Sequence, residues 1–412
     1  MNNKILLTAT FIASAFFSTA QQNKTTFAIT GDGNNDFVWM NIRQVDLTTG
    51  QVTKTLFDRT KSGYAMTDIN TKTTITKAAS TNNTSFFAPL HPTETFVAAA
   101  AFDKRTNKLF FTPMRKAELR WMDVTNESTP EFYTAHFGDY QVDPTDEATN
   151  ITRMVIGADG NGYALSNDGN HFFSFTTGKK PVITALGNII DAESNRSVSI
   201  HNKCTSWGGD MIADAFGKLY VISASHNVFV IDINTRIATH IGNIQGLPAG
   251  YTTNAAAVND NGDIVVASAN LFDGYYTLSL NNLKAVKMEG SDVKYNASDF
   301  ANSNLLLQKE ANSLLNSTVV PVATTAVDAK VFPNPVTNAS FNILFDNQKE
   351  GKYMITLTDL AGRTILTKAI NKGTGIQTEK VGLNKMMAKG IYIVKVIDNN
   401  KTIVINEKIV IQ

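Results

Sequence analysis

Met211-Ile-Ala-Asp214-Ala-Phe-Gly217-Lys-Leu-Tyr220-Val-Ile, residues 211–222, spells out one complete hairpin. A short apolar strand ends on Asp214, a Gly-bearing polar turn follows, and a second apolar strand carries Leu219 to Ile222. Gly and Asn at such tips supply the positive φ that a tight reversal demands. Immediately downstream, Phe229-Val-Ile-Asp232-Ile-Asn-Thr235 begins another hairpin, with an Asp just before a Thr/Asn turn. Two hairpins in succession make a four-stranded antiparallel unit.

The unit repeats. The first hairpin returns as Ala98-Ala-Ala-Ala-Phe-Asp103 with Asn107-Lys-Leu-Phe-Phe111, as Met154-Val-Ile-Gly-Ala-Asp159-Gly-Asn-Gly-Tyr163, and as Ala255-Ala-Ala-Val-Asn-Asp260-Asn-Gly-Asp-Ile264. The second returns around Asp46, Asp123, Ser174, Asp232 and Ser279, spaced 77, 51, 58 and 47 residues apart. Helical periodicity is nearly missing, and the short apolar runs between Gly, Asn, Asp and Thr read as strands and tight turns. Four-stranded units at this spacing match the blades of a β-propeller. A sandwich would not be expected to repeat ordered hairpin pairs with the same turn chemistry.

The ends of this body sharpen the reading. Asn23-Lys-Thr-Thr-Phe-Ala-Ile29 echoes the second strand of a blade, while Asn296-Ala-Ser-Asp-Phe-Ala-Asn302 reads as an orphan first strand. A closed ring that shares one blade between its termini protects its strand edges. Blade one therefore combines 24–58 with 295–304, and whole blades are expected near 96–135, 150–187, 208–243 and 253–289. Residues 59–95 are either an inserted loop or a degenerate further blade, so the expected fold is all-β, a propeller of five or six blades over 21–308. Residues 309–329, with Ser, Thr, Ala, Val and Pro321, read as a linker, entered by a short helix near Leu306 to Leu315.

Residues 330–412 read as a small β-sandwich. Strands are expected at Phe341–Phe345, Tyr353–Asp359, Thr364–Ala369, Gln377–Leu383, Ile391–Ile397 and Thr402–Ile411, with turn residues between them. Pro333-Asn334-Pro335 opens the segment. Ile355-Thr-Leu-Thr-Asp359-Leu-Ala-Gly362-Arg363 is a strand followed by an Asp-x-x-Gly-Arg turn, Gly390-Ile-Tyr392 opens a later strand, and Lys408-Ile-Val closes the chain. Together and in this order, these motifs resemble the type A C-terminal sorting domain of the type IX secretion system of Bacteroidota. That resemblance implies a periplasmic intermediate, passage across the outer membrane with the type IX machinery as partner, and removal of the domain during surface attachment or release.

The N-terminus fits an exported protein. Residues 1–20 have a basic n-region at Lys4, an apolar run Ile5 to Phe17 and a small-residue site Ser18-Thr-Ala20, so cleavage is expected between Ala20 and Gln21. The apolar run is shorter than the roughly 20 residues a membrane span needs, and no other segment qualifies as transmembrane. The formal net charge is +1, and losing Lys4 brings it to zero, so nucleic acid is not an expected partner. The 43% hydrophobic and 18% charged content is that of a chain with a real core.

No catalytic residue is assigned. The single cysteine, Cys204, has His201 nearby but reads as a loop residue. Ser225 and His226 are adjacent on one strand and would face opposite ways. Asp32-Gly-Asn34-Asn-Asp36 and Asp159-Gly-Asn161 place oxygens as calcium loops do but lack the distal Glu, and read as turns. His91, His136, His171, His201, His226 and His240 have no ligand spacing, so no metal or cofactor is expected. Trp39 and Trp121 fall on third strands, where they pack between blades, and Tyr251, Phe272, Tyr275 and Tyr276 are candidates for a glycan- or peptide-binding face. The expected function is binding of a polysaccharide, peptide or partner protein at the cell surface, with an extracellular lyase or hydrolase as the alternative, so enzymatic activity stays open.

Overall fold

A computed structural model describes residues 25–33, 36–79, 90–126, 129–289, 295–317, 329–337, 339–346, 348–359, 364–383, 390–400 and 402–411. Five mainly antiparallel sheets follow one another along the chain, each with one edge strand at the ring axis. The innermost strands are Ala297–Ala301 in blade 1, Val97–Asp103 in blade 2, Ile151–Ile156 in blade 3, Asp210–Ala213 in blade 4 and Ala255–Val258 in blade 5. Each touches the next in cyclic order, and Ala297–Ala301 returns to Val97–Asp103. The molecule is a five-bladed propeller.

Blade 1 is shared between the chain ends. Ala297–Ala301 pairs with Thr26–Thr30, with Phe27 opposite Ala301 and Ile29 opposite Asp299, and Asn41–Asp46 and Gln51–Phe57 complete the sheet. The described residues of 59–95 do not make a sixth blade. They contribute Tyr64–Asp68 and Thr74–Lys77, a hairpin laid parallel on the outer strand of blade 2, Glu131–His136. Blade 4 also gains an outer strand, Ile190–Asp191, parallel to Ile237–Asn243.

The turn chemistry is the same from blade to blade. The Asp214 carboxylate accepts from the N–H groups of Phe216 and Lys218, and Asn259 does the same for Asn261 and Asp263. At the second hairpins, Asp46, Asp123 and Asp232 accept from Thr48, Thr125 and Thr235. These side chains satisfy backbone donors that a reversal leaves unpaired.

Neighbouring sheets face each other, so successive residues of a strand feed two different cores. Met211 and Ala213 pack toward blade 3, while Ile212 packs toward blade 5. The continuous apolar runs follow from this, because both faces of each blade are buried. Blades converge at the axis, and the inner strands there carry Ala98–Ala101 and Ala255–Ala257. Farther out the wedge fills with Phe110, Trp121 and Tyr133, the last two stacked at 5.8 Å.

The C-terminal segment is a two-sheet sandwich. One sheet orders Ala329–Phe332, Ser340–Phe345 and Gln377–Gly382; the other orders Thr364–Lys372, Gly351–Asp359, Gly390–Asp398 and Ile403–Ile411. Phe341, Ile343, Ile355, Leu357, Val394 and Val396 form its core. The first strand, Ala329–Phe332, is the one that sequence patterning does not foresee. The helix beyond the ring spans Gln308–Ser317, slightly later than the sequence suggests.

Candidate functional site

The axis of the propeller is closed. Its void measures about 10 Å3 and is bordered by inner-strand residues such as Ala100, Ala101, Met154, Met211, Ala256 and Ala257, together with Asn302 and Asn304. That is the space of about one water. On two of the inner strands two carboxyls meet, Asp210 from blade 4 and Asp299 from the closing strand, and both are fully buried.

Asp210 reaches across the ring. One oxygen accepts from its neighbour Met211 N–H at 2.6 Å; the other accepts from Ala256 N–H of blade 5 at 2.7 Å and Phe300 N–H of blade 1 at 3.3 Å. Inner strands are sheet edges with unpaired N–H groups, and a carboxyl on the axis satisfies several at once. Asp299 is different: neither oxygen has a hydrogen-bond partner, and the groups that act on it are the Asp210 carboxyl and the Ala100 backbone. Burial pushes both carboxyls up, and the neighbouring Asp210 pushes Asp299 further.

Arg153, on the inner strand of blade 3, is also fully buried. Its guanidinium donates to the carbonyls of Ser166, Asn167, Ser206 and Gly208. Burial lowers it to about 10. It ties the entry of blade 4 to blade 3 and faces no open space.

Open space lies on the face that carries the hairpin tips. A cleft of about 470 Å3 is bordered by the tips of blade 5, Asn259–Asp263 and Ser279–Asn281, and by residues 303–310 and 312. A second hollow of about 230 Å3 shares Asn259, Asp260, Asn261 and Asn304 with it and continues to Thr48 of blade 1. Leu280 and Leu305–Leu307 contribute apolar lining, and amides, hydroxyls and the charged side chains of Lys104, Asp260, Asp263, Lys309 and Glu310 complete it. Asn304 is held by Val258 O at 2.9 Å and Asp260 at 3.2 Å, and Lys309 donates to Asn261 O at 2.7 Å, fixing the helix start beside the blade tip.

The other candidate positions lie elsewhere. Tyr251, Tyr275 and Tyr276 are buried between blades, Phe272 is half-buried, and none of the four borders the cleft. Trp121 packs between blades 2 and 3; Trp39 lies just before its strand, packed against the cluster between blades 1 and 2. Cys204 is exposed, and His201 bonds to Asp168 O. Ser225 bonds to Thr205 O and His226 to Tyr251 O, so the two are not a pair. Asp32 is engaged with Arg59 and Asn41, and Asp159 with Asn161 and Tyr163, so both act as turn residues, although Asn34 and Asn35 fall outside the described residues. The histidines are not gathered, and among the described residues no set of His, Cys, Asp and Glu suits a metal.

In the C-terminal sandwich the motif residues come together. Asn334, between Pro333 and Pro335, donates from Nδ2 to Lys408 O and accepts at Oδ1 from Val410 N–H. Val336 N–H then donates to Val410 O at 2.7 Å. Asp359 lies opposite Tyr392, and Gly390 opposite Ile411; Tyr392 is buried in the core. Gly362 and Arg363 lie outside the described residues, as do Ala20 and Gln21.

Residues 330–412 match the family model described as a secretion system C-terminal sorting domain. This segment matches a type IX sorting domain. It marks the chain for export to the cell surface or for secretion, and no described helix is long and apolar enough to cross a membrane. No curated protein sequence matches the chain. Among solved structures it is similar to PorZ, a bacterial surface component of the type IX secretion system of Porphyromonas gingivalis, at 14% identity over 94% of this chain and 51% of PorZ, with a TM-score of 0.31. The chain thus spans about half the length of PorZ. It is also similar to a streptogramin B lyase (10% identity, 61% and 66% covered, TM-score 0.33) and to a putative 6-phosphogluconolactonase from Bacteroides uniformis (10%, 87% and 99%, TM-score 0.35). Scores of this size do not define a common fold, and the five-bladed assignment rests on the strand pairing itself. The sorting domain accounts for the address of the protein and not for its activity.

Proposed function

We propose that the protein is an exported propeller that binds a polar, largely uncharged polymer, a polysaccharide, in the cleft between the blade 5 tips and the 303–310 segment. Residues 1–20 are its leader, the ring occupies 21–308, and 309–329 tethers the sorting domain. The observation that carries this reading is the cleft itself: about 470 Å3 lined by Asn261, Ser279, Asn281, Asn304, Gln308 and Asn312 and by leucines, with the opposite charges of Lys104 and Lys309 and of Asp260, Asp263 and Glu310 nearly in balance. Side-chain amides both donate and accept, as sugar hydroxyls require. Apolar lining suits the carbon face of a pyranose ring, and convergent polar groups beside apolar lining are the usual composition of a binding site. Asp210 and Asp299, the buried acids of the ring, line neither the cleft nor the neighbouring hollow, which speaks against a funnel enzyme built on them.

The test is binding of the mature full-length chain to a panel of bacterial and plant polysaccharides, followed by calorimetry on any hit. Asn281→Ala and Asp263→Ala in the cleft are expected to weaken the hit about tenfold each, the value of one good hydrogen bond to a polar ligand. Binding that survives both substitutions, or turnover of the polymer, would replace this reading.

A further inference from the structure

Asp210 and Asp299 lie far apart in sequence, and neither belongs to a turn or to the cleft. They meet only because the ring closes. Asp210 bridges blade 4 to the Ala256 N–H of blade 5 and the Phe300 N–H of blade 1, and Phe300 follows Asp299 on the strand that completes blade 1. Asp299, fully buried, has two oxygens without a partner. A bare carboxylate in such a place would carry one of the largest desolvation costs in the molecule.

We propose that Asp210 and Asp299 hold one proton between them, as an acid–carboxylate pair, and that this pair is the pin that locks the closing strand into the ring. Asp299 is the acid. Its O–H donates to the Asp210 carboxylate, which already accepts three backbone N–H groups and is the better-stabilised anion. One proton thus turns two repelling charges into a hydrogen bond across the axis. The surroundings supply no other compensation. Blade 2 presents the Ala100 backbone, blade 5 the Ala256 backbone and blade 1 the Phe300 backbone. Among the described residues, the charged side chain acting on Asp210 from blade 3 is Arg153, whose guanidinium is already occupied by four carbonyls. A cation in place of the proton would need about six to eight oxygen ligands, and among the described residues no group of three or more His, Cys, Asp and Glu gathers to hold one.

The sign follows from linkage. An unfolded Asp loses its proton near pH 4, about its ordinary pKa. The folded pair keeps one proton to higher pH, so the native state binds more protons in that window. Stability contributed by the pair is fully present below pH 4 and falls as pH rises, with the unfolding equilibrium constant growing about tenfold per pH unit until the native proton leaves.

The experiment compares full-length wild type with Asp299→Asn, whose amide donates to Asp210 at every pH. The ratio of wild-type to variant unfolding constants is expected to rise about tenfold per pH unit between pH 5 and 7. A ratio independent of pH overturns the proposal, as does a ratio that shifts when calcium is exchanged for EDTA. If the variant does not fold, infrared spectroscopy of the wild type decides. A carbonyl band from a buried protonated carboxyl at pH 7, shifted by 13C-labelled aspartate, supports the pair, and its absence rejects it. Asp299→Asn is expected to remove the same band wherever it folds.

Discussion

Asn334 is bonded to the last strand through both ends of its amide: Nδ2 donates to Lys408 O at 2.8 Å, and Oδ1 accepts from Val410 N–H at 3.0 Å. The first motif of the sorting domain is therefore held by the last, and the two have to be present together. Asn334→Ala removes both bonds at an exposed position, and a loss of about 1–2 kcal/mol is expected in denaturant unfolding of the sandwich. Asn334→Asp keeps the acceptor and loses the donor. It is expected to fall between wild type and the alanine variant, read by the same melt and by surface yield in cells.

Ring closure depends on a strand that also carries a large aromatic. Phe300 is 2% exposed and meets Tyr275 edge-on at 5.1 Å. Phe300→Ala is expected to cost about 3–5 kcal/mol. Because Ala297–Ala301 pairs with Thr26–Thr30, the variant is also expected to speed amide exchange in Thr26–Thr30 more than in the blade 3 strands. Uniform acceleration across all blades would show that closure is not a separable step.

His91 gives the chain an acid limit. It is 1% exposed among Phe57, Tyr64 and the Arg120 network. Its Nδ1 faces the Thr93 N–H and its Nε2 the Arg59 carbonyl, which together define the neutral ring with Nε2 protonated. Burial, aided by the Arg120 guanidinium, pushes it down to about 4. The folded value lies below the unfolded one, so this stability is present above about pH 6.5 and is lost as pH falls toward 4, about 3 kcal/mol in full. His91→Gln is expected to flatten that acid limb in urea titrations between pH 6.5 and 4. The limb runs opposite in sign to the effect of the axial acids, so the two are separable.

Much of this was legible in the chain. Asn296–Asn302 reads as a strand without a partner, and it pairs with Thr26–Thr30. The turn acids Asp46, Asp123 and Asp232 stand out by position and cap the turns they precede. Such features are local, set by a few adjacent residues. The hairpin at Tyr64–Lys77 was ambiguous because an edge strand on an outer blade buries only one face, and its pattern resembles a loop's. Ile190–Asp191 is too short to leave a period. Asp210 and Asp299 gave no signal, since each stands alone in an apolar strand and acquires its meaning only across the axis. The cleft likewise gathers 259–263, 279–281 and 303–312, segments that become neighbours only on closure.

The Arg120 cluster fixes the inserted hairpin's surroundings to blade 2. Arg120, 1% exposed, donates to Glu94 and Glu118 at 2.7 Å and to the carbonyls of His91 and Pro92 at 2.8 Å. Burial pushes the Glu118 carboxyl up, and the Arg120 guanidinium more than offsets this, holding it below the ordinary value. Arg120→Met strands two acids and is expected to cost about 3–5 kcal/mol. Arg120→Lys retains one charge but not the fork, so a partial loss is expected. Combining Arg120→Met with Glu94→Gln and Glu118→Gln should recover part of the loss, measured by denaturant midpoints.

The address is separable from the cargo if the sorting domain works as a unit. Its core is drawn wholly from residues 331–411, and its hydrogen bonds join its own first and last motifs. A chain ending at 329 is therefore expected to keep the ring and lose surface delivery, accumulating in the periplasm at near-total yield on fractionation. The reciprocal fusion, residues 309–412 placed behind an unrelated exported carrier, is expected to bring that carrier to the surface. Unchanged surface delivery of the truncated chain would move the address into the propeller. The Asn334→Ala variant then supplies the graded case between these extremes. Its melt and its export should fall together, because the same two hydrogen bonds hold the fold that the secretion machinery has to recognise.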